Sequence, residues 1–205
     1  DPTPCYYVYR LTMGQHVQTG LVVTASVAAY DADRIKKHEF TRPVKEDDRV
    51  RQIDALDAQT GPVFLVYRAT PSIDDILIAI SKQAPVVDIR AEGQVRHEIW
   101  VIADEDLIRL LSAAFEALPA LYVADGHHRS AAASRVAASR KAAQAGPGGK
   151  ESYNYFLAVV FPHNQMQIMA YNRLVKDLHG LNKEEFLSRV AVAFRIEPSA
   201  ERTWA

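Results

Sequence analysis

The stretch Leu121-Tyr122-Val123-Ala124-Asp125-Gly126-His127-His128-Arg129-Ser130 passes from an apolar β-type run, through an Asp-Gly step, into the Ala-rich segment Ala131 to Ala143. A strand that turns tightly into a helix is a common way for α/β proteins to aim backbone N–H groups at an anion. Here the first helical turn adds two imidazoles and a guanidinium where the helix dipole already favours negative charge. The junction reads as a phosphate site built from Asp125, Gly126, His127, His128 and Arg129, with Ser130 as a further donor. Two observations pull toward a structural role. Adjacent histidines point to different sides of a helical turn, and an Asp-Gly turn closed by its own aspartate is ordinary. Zinc is disfavoured, because His16, His38, His97, His163 and His179 are scattered without ligand spacing.

Outward from this junction the chain alternates strand and helix patterns. Cys5 to Leu11 and Gly20 to Ala28 read as strands. The link Tyr30 to Asp33 is expected to turn the second of these into a hairpin with Arg34 to Phe40. Val50, Ile53 and Leu56 recur at helical spacing within Lys45 to Ala58, behind Pro43. Pro62 to Tyr67 has the character of a buried strand, and Ser72 with Asp75 resembles a capping box. Pro85 to Ala91 and Gln94 to Ile102 form a hairpin through Glu92-Gly93. Asp104 then caps a helix with the stripe Leu107, Ile108, Leu111, Phe115 and Leu118. Gly146 to Lys150 is a breaker-rich loop without the ending of a P-loop. Tyr155 to Phe161 and Gln165 to Ala170 predict a hairpin through Pro162-His163-Asn164. Leu181 to Phe194 predicts a last helix with Phe186, Leu187, Val190 and Phe194 inward, and Phe194-Arg195-Ile196 has strand character. The expected class is α+β, with a mixed, largely antiparallel sheet, hairpins and packed helices.

Composition narrows the partners. A chain of 205 residues, 48% hydrophobic, suffices for a single domain spanning 1–205. Net charge of −1 supplies no global field toward nucleic acid or an acidic membrane. The lone Cys5 rules out an internal disulfide framework and suits a reducing compartment. With no bilayer-length apolar run and no signal-peptide pattern, the expectation is a soluble, cytoplasmic protein. The chain starts at Asp1 and stops after Trp204-Ala205, which reads as an internal fragment of a longer protein.

A second polar cluster runs from Ile35 to Arg49. If it continues as a strand, Lys37 and Glu39 share one face and His38 the other. Lys45 and Arg49 stack on one face of the following helix, and the run Glu46 to Asp48 reads as surface salt bridging. If the junction holds phosphate, the missing part is a carboxylate that accepts a proton from an attacking hydroxyl. Asp125 could instead hold Mg²⁺ against the phosphates. Weaker candidates are Cys5, read as a small core residue, and Asn172-Arg173, a polar pair able to reach the site. His97 and Trp100 fall on opposite faces of one strand and are not a pair.

Four blocks together resemble the bacterial and archaeal family called domain of unknown function 1015. They are Tyr122 to Arg129, Ile35 to Arg42, Gln59 to Leu65 and Ala170 to Val175. The Asp-Gly-His-His-Arg turn is in addition similar to that of free serine kinases of the ParB/sulfiredoxin-like superfamily. That resemblance implies a ParB/sulfiredoxin-like core around the turn and nucleotide phosphates, with Mg²⁺, held by Asp125, Gly126, His127, His128 and Arg129. It further implies ATP or ADP as donor, serine as acceptor and Glu39 as base. Alternatives are a nucleotide-binding switch without catalysis, or a phosphatase acting on phosphoserine with His127 or His128 as acid. The expected partners are a nucleotide and a small-molecule substrate, with no nucleic acid and no membrane.

Overall fold

Alternating burial along short strands builds the sheet. β1 (Tyr6–Met13) and β2 (His16–Ser26) form a hairpin across a two-residue turn, in which Gly14 takes a φ of 59°. The computed structural model describes residues 3–143, 149, 151–169 and 175–197. Its remaining strands are β3 (Ile35–Lys36), β4 (Val63–Tyr67), β5 (Val87–Arg90), β6 (Arg96–Ile102), β7 (Leu121–Asp125) and β8 (Tyr155–Pro162). They form one sheet in the order β3-β7-β4-β8-β2-β1-β6-β5, with β3·β7 and β4·β8 parallel and the other pairings antiparallel. The fold is α+β with a mixed sheet, as the sequence predicts.

The central strand β8 is buried at almost every position, the pattern of a strand covered on both faces. Val8, Leu21, Leu65, Val123, Phe156 and Val160 supply the sheet side of the core. Against them pack Ile73 and Leu77 of α3 (Pro71–Ile80) and Leu111 of α4 (Glu105–Glu116). Ala133 and Ala137 of α5 (His127–Ala143) complete it. Alanine forms helix without losing side-chain entropy and lets α5 lie close to the sheet. Asp104 caps α4 by accepting from the Leu107 amide at 2.9 Å.

Several local expectations are corrected. β2 pairs with β1 and β8, not with Arg34 to Phe40. The chain leaves β2 through the short helix α1 (Val27–Asp31), capped by Ser26, and only Ile35–Lys36 forms strand, parallel to β7. The helix α3 starts one residue after Thr70, because Pro71 suits the first helical position, so no Ser72–Asp75 capping box forms. Ser72 instead shares a hydrogen bond with the Thr70 hydroxyl at 3.1 Å. Both edges of β8 are occupied by β2 and β4, so the segment after it has no edge to pair with. Gln165 closes a 3-10 turn, residues 166–169 carry no strand, and Ala170 lies outside the described residues.

Contacts divide the chain into Asp1–Met166, which holds the sheet, and Gln167–Ala205. Within the second unit, α6 (Lys183–Ala191) opens with a capping box between Asn182 and Glu185. Leu187 and Phe194 are exposed rather than inward, and residues 194–196 form no strand. Asn172, Arg173 and most of the Gly146 to Lys150 loop fall outside the described residues. No helix among the described residues is long and apolar enough to cross a membrane.

Gly20 marks a tightly packed place in the sheet. A Cβ there would lie 2.5 Å from the Val160 carbonyl oxygen and 2.7 Å from the Phe161 ring. Tyr9, its cross-strand neighbour, packs its ring against Phe161 at 6.2 Å between centroids. Overpacking of this kind costs about 1–3 kcal/mol. Gly20→Ala is expected to lower the urea midpoint by that free energy with an unchanged slope, and an unchanged midpoint would refute the packing account.

Candidate functional site

Strand β7 delivers the Asp-Gly turn through a β-bulge. Phe64 of β4 faces Asp125 while Leu65 faces Val123, so Ala124 is an extra residue that redirects the end of the strand. Gly126 then adopts a φ of 97°, a left-handed value open to glycine. A Cβ on it would meet the Arg129 guanidinium at 3.1 Å and the Val63 backbone at 3.3 Å. Helix α5 begins at His127, and the Ser130 amide donates back to the Gly126 carbonyl at 2.9 Å. Amides in a first helical turn have no intrahelical acceptor, so those of His127, His128 and Arg129 are left for a ligand.

The second wall comes from α2 (Pro43–Leu56). Lys45, Arg49 and Arg51 line one cavity of about 490 Å³ together with Asp125, Arg129 and Glu39. First turns of two helices, 14 and 17 residues long, therefore border the same space. His128 joins them: the Arg42 backbone N–H donates to His128 Nε2 at 3.1 Å, which puts the imidazole proton on Nδ1. Ion pairs fix the helices side by side. Arg135 of α5 meets Glu46 at 2.9 Å and Asp47 at 2.8 Å, and Arg140 meets Asp57 at 2.5 Å. Glu46 also accepts from the Thr41 hydroxyl at 2.6 Å. That bond, followed by Arg135, holds its carboxyl below the usual range. The run Glu46 to Asp48 does form salt bridges, and through Glu46 it anchors the loop that carries Glu39.

Each residue of the sequence-predicted site has a distinct position. Arg129 donates to the Pro62 carbonyl at 2.6 Å and stands 3.5 Å from the Asp125 carboxylate, braced on the start of β4 at the cavity wall. Ser130 is fully buried and its hydroxyl donates back to the Gly126 and His127 carbonyls, so it closes the turn and does not face the cavity. His127 is 4% exposed, with Nδ1 3.5 Å from a Glu39 carboxylate oxygen and no hydrogen-bond partner at Nε2. The His38 ring stands edge-on to it at 4.4 Å between centroids. Burial, and then the neighbouring His38, push the His127 imidazole below its ordinary pKa. The Glu39 side chain remains 54% exposed at the rim.

His38 and Glu39 both reach His127 because the strand stops at Lys36, so the two-residue alternation expected from the sequence does not apply. The sequence predicts Lys45 and Arg49 on one face of α2 and His38 opposite Glu39, but it singles out neither Arg51 nor His38 as part of the site. The four-residue spacing of Lys45 and Arg49 is a usable signal for one shared face, whereas Arg51, two residues further on, gives none. Among the described residues no group of three or more His, Cys, Asp or Glu side chains is placed to hold a metal ion.

These elements define an α+β protein with a mixed eight-stranded sheet and a cation-lined cavity at a strand-to-helix junction. The family model described as protein of unknown function (DUF1015) matches residues 1–204, and the chain belongs to that family. No curated protein and no solved structure matches it.

The lowered His127 pKa has a definite sign in stability. Folding favours the neutral ring, so its contribution is complete above the unfolded-state pKa of about 6.5 and declines as pH falls toward the folded-state value. The thermal midpoint should therefore drop more between pH 7.5 and 5.5 in wild type than in His127→Gln, as read by calorimetry. Parallel pH profiles for the two proteins would contradict the assignment.

Proposed function

We propose that the protein transfers a phosphoryl group from a nucleoside di- or triphosphate to a small hydroxyl substrate, serine being the acceptor implied by the similarity to free serine kinases. The observation that carries this reading is the cavity itself. Open amides at the start of α5, Arg129 and three cations of α2 surround it together with the carboxylates of Asp48, Asp125 and Glu39, and of these Glu39 is the one in contact with the buried His127. Phosphoryl transfer depends mainly on positioning and on stabilising charge on the phosphoryl oxygens. The amides and Arg129 are suited to hold the donor phosphates, with Lys45 and Arg49 balancing the charge opposite them.

Glu39 is the proposed general base. It takes the proton of the acceptor hydroxyl as that oxygen bonds to the terminal phosphorus and the bond from phosphorus to the leaving phosphate oxygen breaks. His127 orients it. Neutral, with Nδ1 toward the Glu39 carboxylate, this buried ring limits where the carboxylate points. Mg²⁺ in nucleotide sites is commonly bound by one or two carboxylates plus phosphate oxygens and water, and the exposed Asp125 carboxylate fits that donor set. Asp125 would hold the ion, which supplies further charge neutralisation at the phosphates. A ParB/sulfiredoxin-like core around the turn belongs to the same proposal.

The test uses radiolabelled ATP or ADP with Mg²⁺ and L-serine. Glu39→Gln is expected to bind nucleotide within a few-fold of wild type and to lose about 10²–10⁴-fold in turnover, the usual range for a general base. Arg129→Ala should lose both binding and turnover. Equal turnover by wild type and Glu39→Gln removes Glu39 from the mechanism. Binding without label ever reaching serine or water favours a non-catalytic switch, and phosphoserine loss without nucleotide favours a phosphatase.

A further inference from the structure

The phosphate cavity does not end at Arg129. A second cavity of about 160 Å³ shares Arg49 and Arg129 with it and continues past Gln52, Thr60 and Gly61. A third, about 230 Å³, shares Ile53, Ala58 and Gln59 with the second and reaches Tyr155. Shared walls make the three one trough along α2. Its chemistry is graded: charged groups, mostly cations, at the junction, amide and hydroxyl groups in the middle, and a mainly apolar, aromatic far end over Ala133 and Val136 of α5, bordered by the Arg140–Asp57 ion pair.

We infer that this trough takes the nucleoside of a nucleoside polyphosphate, with the sugar beside Thr60 and Gly61 and the base against Tyr155. The inference rests on the phosphoryl-transfer reading for the phosphate end and adds the orientation of the donor. A nucleotide is graded in the same order, from anionic phosphates through a polar sugar to a flat aromatic base. The middle walls are fixed in advance. Gln59 accepts from the Leu157 amide at 2.8 Å and donates to the Tyr155 carbonyl at 3.1 Å, which ties the loop after α2 to β8. The Thr60 hydroxyl accepts from the Gln52 amide at 3.2 Å, which leaves its proton to donate to a sugar oxygen. Glycine at position 61 leaves one side of Arg129 uncovered, since a Cβ would sit only 3.5 Å from Arg129 Nε. At the far end an aromatic side chain provides a stacking face that any base can use. With the donor so placed, the α2 side of the first cavity, near Lys45 and Arg51, is left for the acceptor.

Calorimetric titration with ADP and with pyrophosphate, each with Mg²⁺, tests this on wild type, Ala58→Trp, Tyr155→Ala and Tyr155→Phe. Ala58 is exposed in a loop at the boundary of the second and third cavities, so tryptophan there plugs the trough without entering the core. Wild type should bind ADP at least tenfold tighter than pyrophosphate. Ala58→Trp and Tyr155→Ala should lose that advantage while binding pyrophosphate as wild type does, and Tyr155→Phe should keep it. Unchanged pyrophosphate binding doubles as the proof that each variant is folded. ADP and pyrophosphate of equal affinity in wild type, or full ADP affinity in Ala58→Trp, would overturn the nucleoside assignment and leave the phosphate site standing. Failure of both ligands to bind wild type would sink the phosphoryl-transfer reading and this inference with it.

Discussion

Gly126 combines a left-handed backbone, strained for any side chain, with a tight fit between the Arg129 guanidinium and the backbone of Val63. Everything at the junction follows from that restriction. The left-handed backbone ends β7 and starts α5 within one residue, so the helix opens directly over the edge of the sheet. At the same close approach Arg129 reaches back to the Pro62 carbonyl, which fixes the guanidinium at the cavity wall. A larger residue would strain the backbone at this φ and press on both the Arg129 guanidinium and the Val63 backbone.

The histidine pair in the motif divides its work. His128 bridges the beginnings of α5 and α2 through the Arg42 amide, whereas His127 turns inward to His38 and Glu39. The lowered pKa of buried His127 disfavours its cation, so that ring adds no fixed positive charge, and guanidinium and ammonium groups supply it. Burying a neutral ring costs far less than burying its cation, which is the reason a histidine can sit beneath an anion site at all.

Much of the framework could be read directly from residue patterns. The β5–β6 hairpin through Glu92-Gly93, the Asp104 cap and the Leu121 to Ala143 strand-turn-helix all have short-range causes: a turn dipeptide, a capping side chain, a change of period. Pairing partners were less legible, because they depend on which sheet edges remain free. Gly20 to Ala28 was given the wrong partner for that reason, and Gln165 to Ala170 was given one where β2 and β4 had already taken both edges of β8. At the site, Asp125 to Arg129 stood out by local density of polar groups. His38 did not, since its role arises from a strand that ends two residues earlier than its composition suggests. The cations of α2 were visible as a spacing but not as a wall, because only the tertiary fold sets them opposite the turn.

Helix α2 buries no residue completely, and charge pairs at least partly open to solvent tie it to α5. Such attachments are weak one by one and fade as the Debye length shrinks with added salt. The α2 side of the trough is therefore held in part by contacts that salt weakens, whereas the sheet is held by backbone hydrogen bonds and apolar burial. Ionic strength becomes, for this fold, a way of loosening a doorway without melting the house.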